Sequence, residues 1–276
     1  MSPAASATTL ATRRSTRFVA WARAWRAGLV PFDEIADEIA GDEEHLVADA
    51  PGTWTDVPLG QALPALSRLH PDDIRLVLPA AGDPRGLPGP GAFTGAALLT
   101  GEGVVAGELG LVPEVRSHTS GSGDTFETVL WQVYPLMPTP RAEGPSGGGT
   151  AGAHVNGHGA PGAAEAEADL SLALAETTAQ LTRLDIAQWR PELAGALAQL
   201  RRPSNGIDLP PGFDPRARRL YARASVLDQV LALAETAAPG GAVNAYEARQ
   251  RDEALRPLIT ACRRALVAAC NSPLSA

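Results

Sequence analysis

FETVLWQVY, residues 126–134, is the stretch that decides the fold class. Val129, Trp131 and Val133 point one way, and Thr128, Leu130, Gln132 and Tyr134 the other, which is the period-two pattern of a β-strand. Upstream, Ile74–Leu78 (IRLVL), Val104-Val105 and Leu109–Val115 read as further strands, with a short helix over Phe93–Leu99. Before them, Phe18, Trp21, Ala22, Trp25 and Leu29 recur at helical spacing from a start near Ser15 or Thr16, and Gly28 and Pro31 end that helix. Pro31 then suits the first turn of a second short helix, with Ile35 and Ile39 inward and Gly41 closing it. Leu59, Leu63, Leu66 and Leu69 suggest another, bent by Pro64. His70-Pro71-Asp72-Asp73 reads as a turn.

Downstream the pattern breaks. Residues 138–162 hold almost no large apolar side chain, so they cannot bury enough surface to order themselves and read as a linker. Beyond it, Leu170, Leu174, Leu181 and Leu184 suggest one helix, and Trp189–Leu200 a second. Asp214-Pro215 starts a third, with Leu220, Leu227, Val230 and Leu231 on its face. Asn244 caps a fourth, carrying Leu255, Leu258, Ile259, Cys262, Leu266 and Cys270. The last two should pair antiparallel across a short connection. The expected class is therefore α+β: a disordered tail over 1–14, an α/β region over 15–137 built as a small mixed sheet with flanking helices, a flexible Gly-rich linker over 138–162, and a C-terminal helical bundle or hairpin over 163–272.

Composition narrows the function classes. The chain of 276 residues is 45% hydrophobic and 20% charged, which is globular composition. All 23 basic residues are Arg, and the abundance of Ala, Gly and Pro beside them points to GC-rich codons before it points to guanidinium chemistry. A net charge of −8 disfavours a nucleic-acid binder. Cys262 and Cys270 lie about 12 Å apart on one helix at ~1.5 Å rise per residue, too far for a disulfide. No apolar run approaches the ~20 residues of a membrane span, and nothing near Met1 resembles a signal peptide. A cytoplasmic location, reduced thiols and no membrane contact follow as expectations.

No catalytic signature, metal set or cofactor motif stands out. The acidic run Asp33, Glu34, Asp37, Glu38, Asp42, Glu43 and Glu44 reads as a solvated face with favourable charge at helix starts. His154 and His158 fall in the linker, and two ligands do not make a zinc site. The turn Gly82-Asp83-Pro84-Arg85-Gly86-Leu87-Pro88-Gly89-Pro90-Gly91 follows a strand and precedes a helix, where phosphate loops occur. It lacks the Gly-Lys-Ser/Thr of a P-loop, and its prolines remove the N–H groups that would cradle an anion. A rigid turn presenting Asp83 and Arg85 is the better reading, with Gly86, Gly89 and Gly91 shaping it. In the C-terminal hairpin, Arg216 and Arg223 share the side of Leu220 and Leu227, and Arg219 flanks it. Arg263 flanks the last helix's apolar stripe while Arg264 points away, so this end is locally basic. Glu247–Arg251, Arg249–Glu253 and Asp252–Arg256 form i,i+4 pairs of an exposed helix, and Arg251 also falls near the same apolar stripe.

The stretches AAGDPRGLPGPGAF (80–93) and NAYEARQRDEALRPL (244–258) resemble those of a family of GC-rich actinobacterial proteins of unknown function. That resemblance implies no activity and no site residues. Two functional expectations remain. The first is a non-catalytic interaction or regulatory protein with another protein as partner. The alternative is a binding protein or enzyme for an anionic small molecule, held between the Asp83–Gly91 loop and Arg216, Arg219, Arg223, Arg251 and Arg263.

Overall fold

The computed structural model of the protein describes residues 13–48, 55–121, 123–136, 162–183, 208–236 and 245–275. The tail before residue 13, most of the linker and the Trp189–Leu200 segment lie outside the described residues.

A six-stranded sheet has the order β2-β1-β6-β5-β4-β3, made of β1 (Glu44–Val47), β2 (Val57–Pro58), β3 (Ile74–Val77), β4 (Gly103–Ala106), β5 (Leu109–Thr119) and β6 (Thr125–Pro135). β1 runs parallel to β6 and every other pair is antiparallel, so the sheet is mixed. Helices α1 (Arg14–Arg26), α2 (Phe32–Ala40), α3 (Leu59–Ala62) and α4 (Ala92–Thr100) accompany it, and α5 (Ala163–Arg183), α6 (Pro215–Thr236) and α7 (Ala245–Cys270) complete an α+β chain. Alternation along the strands creates two apolar faces. Ile74, Leu76, Val104, Leu111, Val129 and Trp131 join one core cluster, and Val77, Val105 and Val112 join another under Phe93 of α4. Glycine makes room there: a Cβ on Gly110 would stand 2.3 Å from the Phe93 ring.

The larger cluster holds α1, α2, α5, α6 and α7 against the first face without a break. α1 is buried on nearly all sides, at Ser15, Thr16, Phe18, Val19, Ala20, Ala22, Arg23 and Ala24. It lies between the sheet and α7, and no single apolar stripe describes it. Arg13 and Arg14, expected in the tail, belong to this layer. Arg14 starts the helix and reaches Glu43, with Nε 3.0 Å from Oε2.

Two polar devices tie the parts together. Arg23, 1% exposed, donates from Nη1 to the Ser272 (2.8 Å) and Cys270 carbonyls, from Nε to Pro71 O (3.1 Å) and from Nη2 to Asp72 (2.9 Å). It thus supplies donors to carbonyls at the end of α7, where a cation is also favoured by the helix dipole. Asn271 acts as a one-residue strand. Its Oδ1 accepts the Leu76 N–H at 2.8 Å and its Nδ2 donates to Leu76 O at 3.0 Å, which closes the edge of β3.

Three details differ from the sequence reading. Pro31 caps α2 from outside instead of entering its first turn, with extended backbone at ψ 155°. Pro64 changes the geometry as well as the direction of its segment, since α3 passes into a 3₁₀ turn over Leu63–Leu66. β1 was not anticipated, because four residues carry too short an alternation. Its His45 accepts Trp131 Nε1–H on Nδ1 at 3.2 Å, and its Nε2 lies 3.4 Å from Glu43. That pattern requires the neutral tautomer protonated on Nε2.

Replacing Arg23 by Lys is expected to cost about 2–4 kcal/mol, because an ammonium cannot span four acceptors and leaves buried carbonyls unpaired. Urea unfolding of the full chain measures it. Burial alone would raise the Glu43 carboxyl, but hydrogen bonds with His45 and Arg14 outweigh it and hold the pKa at about 2. Because the folded value is the lower one, the contribution is full above about pH 5 and is lost as pH falls toward the folded value. Glu43→Gln should therefore lower stability by about 1–2 kcal/mol at pH 7 and flatten the acid limb of a stability–pH curve.

Candidate binding site at the junction of sheet and hairpin

After β3 the chain makes two successive glycine turns. Ala80 and Asp83 exchange backbone hydrogen bonds (Asp83 N to Ala80 O, 2.9 Å) around Gly82, whose φ of 81° suits the third turn position. Leu87 N then bonds to Pro84 O at 3.2 Å around Gly86, with φ 84°. Gly86 also lies against Val77, which would sit 3.2 Å from a Cβ there. Gly91 precedes α4 and its carbonyl accepts Gly95 N at 3.1 Å, while Gly89 O accepts the Thr94 hydroxyl. These glycines shape the loop, and its prolines leave no ring of N–H groups.

The two turns set Asp83 and Arg85 side by side. Arg85 grips the carboxylate with both ends of its fork, Nε at 2.7 Å and Nη2 at 2.9 Å. Hydrogen bonding from Arg85 holds the Asp83 pKa below its ordinary value, and the same bond raises that of Arg85. From α7, Arg264 Nη2 reaches the same carboxylate at 3.4 Å, so Arg264 faces the loop instead of pointing away from the fold as its periodicity suggested. A second fork lies beneath. Arg13 holds Asp228 of α6 through Nε and Nη2, both at 2.9 Å.

Arg263 sits between these pairs. It is 8% exposed and feels Asp83 and Asp228, yet each carboxylate is already bound to another guanidinium. Among the described residues nothing accepts a hydrogen bond from Arg263, and the buried Nε–H groups of Arg263 and Arg264 both lack an acceptor. Burial accordingly pulls the Arg263 pKa down. Guanidinium groups thus outnumber the carboxylates they share, and a buried donor without an acceptor is costly.

The structure gathers Asp83, Arg85, Arg263 and Arg264, and leaves the other arginines elsewhere. Arg216 faces α5, 3.3 Å from Glu167, and Arg223 donates to the Ser171 hydroxyl at 3.0 Å. Both are exposed, as is Arg219, because the buried face of α6 runs through Ala217, Leu220, Tyr221, Ala224 and Ser225. Small residues there let helices approach closely, which apolar periodicity through Leu227 and Val230 misplaced. The Arg251 side chain lies outside the described residues. Sequence reasoning missed Arg13 and Asp228, which are 215 positions apart; the only local signal was an acid on the inward side of α6.

Reactive groups are scarce nearby. Cys262 and Cys270 are free and buried, and burial pushes both thiols up to about 12, so neither is a thiolate at neutral pH. Among the described residues no group of three His, Cys, Asp or Glu side chains is placed to hold a metal ion, and no helix is long and apolar enough to cross a membrane.

Two family models match the chain. The N-terminal domain of Rv1486c-like proteins covers residues 15–144, and their C-terminal domain covers residues 164–267. Among curated proteins, Uncharacterized protein Rv1486c of Mycobacterium tuberculosis strain H37Rv is 29% identical over 92% of this chain and 94% of its own length. Uncharacterized protein MT1533 of strain CDC 1551 matches with the same identity and coverage. No solved structure matches.

Asp83→Asn should remove the negative charge and one of the two oxygens that accept from Arg85 and Arg264, and lower stability by about 1–2 kcal/mol. Adding phosphate should restore part of that loss if the freed guanidinium groups take up an anion, as thermal unfolding with and without the salt will report.

Proposed function

Because the chain belongs to the Rv1486c-like family, matching its two domain models in order along the sequence, and because Arg85, Arg263 and Arg264 gather at the Asp83 loop, we propose that it is a non-catalytic cytoplasmic interaction protein. It binds an acidic segment of a partner protein at Arg263 and Arg264, beside Asp83 and Arg85. The observation that carries this reading is the Arg263 guanidinium, buried and without a hydrogen bond among the described residues. A carboxylate or phosphate brings acceptors in the geometry a guanidinium fork prefers. Asp83 is the internal anion already held by Arg264, so an incoming one must displace it.

Several observations support a binding role over catalysis. Both thiols are held protonated by burial. His45, the most buried histidine among the described residues, is committed to Trp131 and Glu43. Reduced, buried cysteines suit a cytosolic protein. An anionic small molecule at the same guanidinium pair is the second reading, favoured by the depth of Arg263, which suits a compact anion.

Arginine Nε–H NMR signals distinguish the two. A glutamate-rich peptide should shift the Arg263 and Arg264 signals saturably, Asp83→Asn should tighten that binding severalfold, and Arg263→Ala with Arg264→Ala should abolish it. Inorganic phosphate that shifts the signals where the peptide does not supports the small-molecule reading. If neither probe moves them, the site is a purely internal ion cluster.

A further inference from the structure

The first face of the sheet is covered unevenly. α1 and the last helix lie over the β3 side, while among the described residues α3 contacts β1 and β2, followed by its 3₁₀ turn. Between that segment and the strands lies a cavity of about 350 Å³. Its volume falls at the lower end of the about 300–1,000 Å³ typical of small-molecule sites.

Local chemistry explains why the space is open. Leu111 and Val133 are directly paired across β5 and β6 and form its floor. Phe18 forms a wall, supported from behind by Trp131 at 4.8 Å between ring centroids. Trp131 gives its N–H to His45, so its one donor is already used. Leu63 lies at the top of the cavity, in a segment that Pro64 keeps as a tight 3₁₀ turn. That segment presents two small side chains to the cavity, half-buried Ala62 and exposed Ala65, where larger ones would fill it.

Among the described residues, no charged side chain lines the cavity. Among the described lining residues Gln61 has the single polar side chain, and it is exposed, which puts side-chain hydrogen-bonding capacity at the mouth. An ion would lose its hydration there without replacement. Water gains too few partners from such walls to be held well. An uncharged molecule with an apolar body and one terminal polar group satisfies both the walls and the rim.

We propose that this cavity is a binding site for an uncharged amphiphilic small molecule, its apolar body between Leu63, Leu111, Val133 and Phe18 and its single polar group at Gln61. The site shares no residue with the arginine cluster and does not depend on the function proposed for it.

Methyl NMR of the full chain with 1-decanol tests the assignment. Decanol should cause saturable shifts of the Leu63, Leu111 and Val133 methyl groups. Ala65→Trp, at the exposed rim, should block these shifts without disturbing the fold. Ala62→Phe should occupy the space, abolish binding and leave the melting temperature equal or higher. Gln61→Leu should weaken decanol at least threefold while leaving decane unchanged, and decanoate should bind at least tenfold more weakly than decanol. Absence of saturable shifts at the solubility limit of decanol overturns the proposal, as does undiminished binding by Ala65→Trp. Decanoate binding as tightly as decanol overturns the uncharged class of ligand.

Discussion

Arg23 joins three elements that are far apart in sequence. Its guanidinium is buried between α1, the turn at Pro71-Asp72 and the end of α7, and it stands 5.8 Å over the Phe213 ring. A guanidinium so placed has lost nearly all its water, and burial duly lowers its pKa. It is tolerable only because four acceptors meet it, three of them backbone carbonyls. Those carbonyls need it in return, since the last turn of a helix leaves acceptors without partners. α1 therefore cannot be packed on the sheet independently of α7, and the two parts form one core instead of two beads on a linker.

The junction site follows from that arrangement. Once Arg23 and Asn271 fix the end of α7 against β3, the residues one to two turns earlier on α7 lie over the loop that leaves β3. Arg263 and Arg264 meet Asp83 because of that geometry, not because of any local motif. The charge asymmetry between the acidic N-terminal part and the arginine-rich hairpin has a specific outlet at Asp83, while Arg216 and Arg223 find α5 instead.

How much of this was legible depended on distance along the chain. The α2 pair Ile35 and Ile39 could be read directly, because one face of that helix is buried and the other is not, whereas β6 was legible from its period-two residue pattern although Thr128 to Trp131 are all buried. α1 could be placed but not oriented, since a helix buried on both sides shows no single stripe and Arg23 looked like any surface arginine. The glycine turns at Gly82 and Gly86 were readable as turns, whereas the partners of Asp83 were not. The cavity had no signal at all. It arises where Ala62 and Ala65 happen to face Leu111 and Val133, a relation that only the folded chain expresses.

The absence of lysine sharpens the meaning of Arg263. A GC-rich codon bias, the reading the composition favours, would write arginine at every basic position, and at exposed ones such as Arg219 it is a sufficient account. At Arg13, Arg23 and Arg85 the planar fork is used for what an ammonium cannot do, gripping a carboxylate by both edges or bridging several carbonyls. Arg263 fits neither group. Codon bias decides which cation is written, but it does not carry that cation into the interior, and nothing among the described residues rewards its burial with a hydrogen bond. A desolvated charge between two already occupied carboxylates raises the free energy of the folded state. On the proposed reading, an anion that entered from outside would remove that cost, making the position a liability in the free protein and an asset in the bound one.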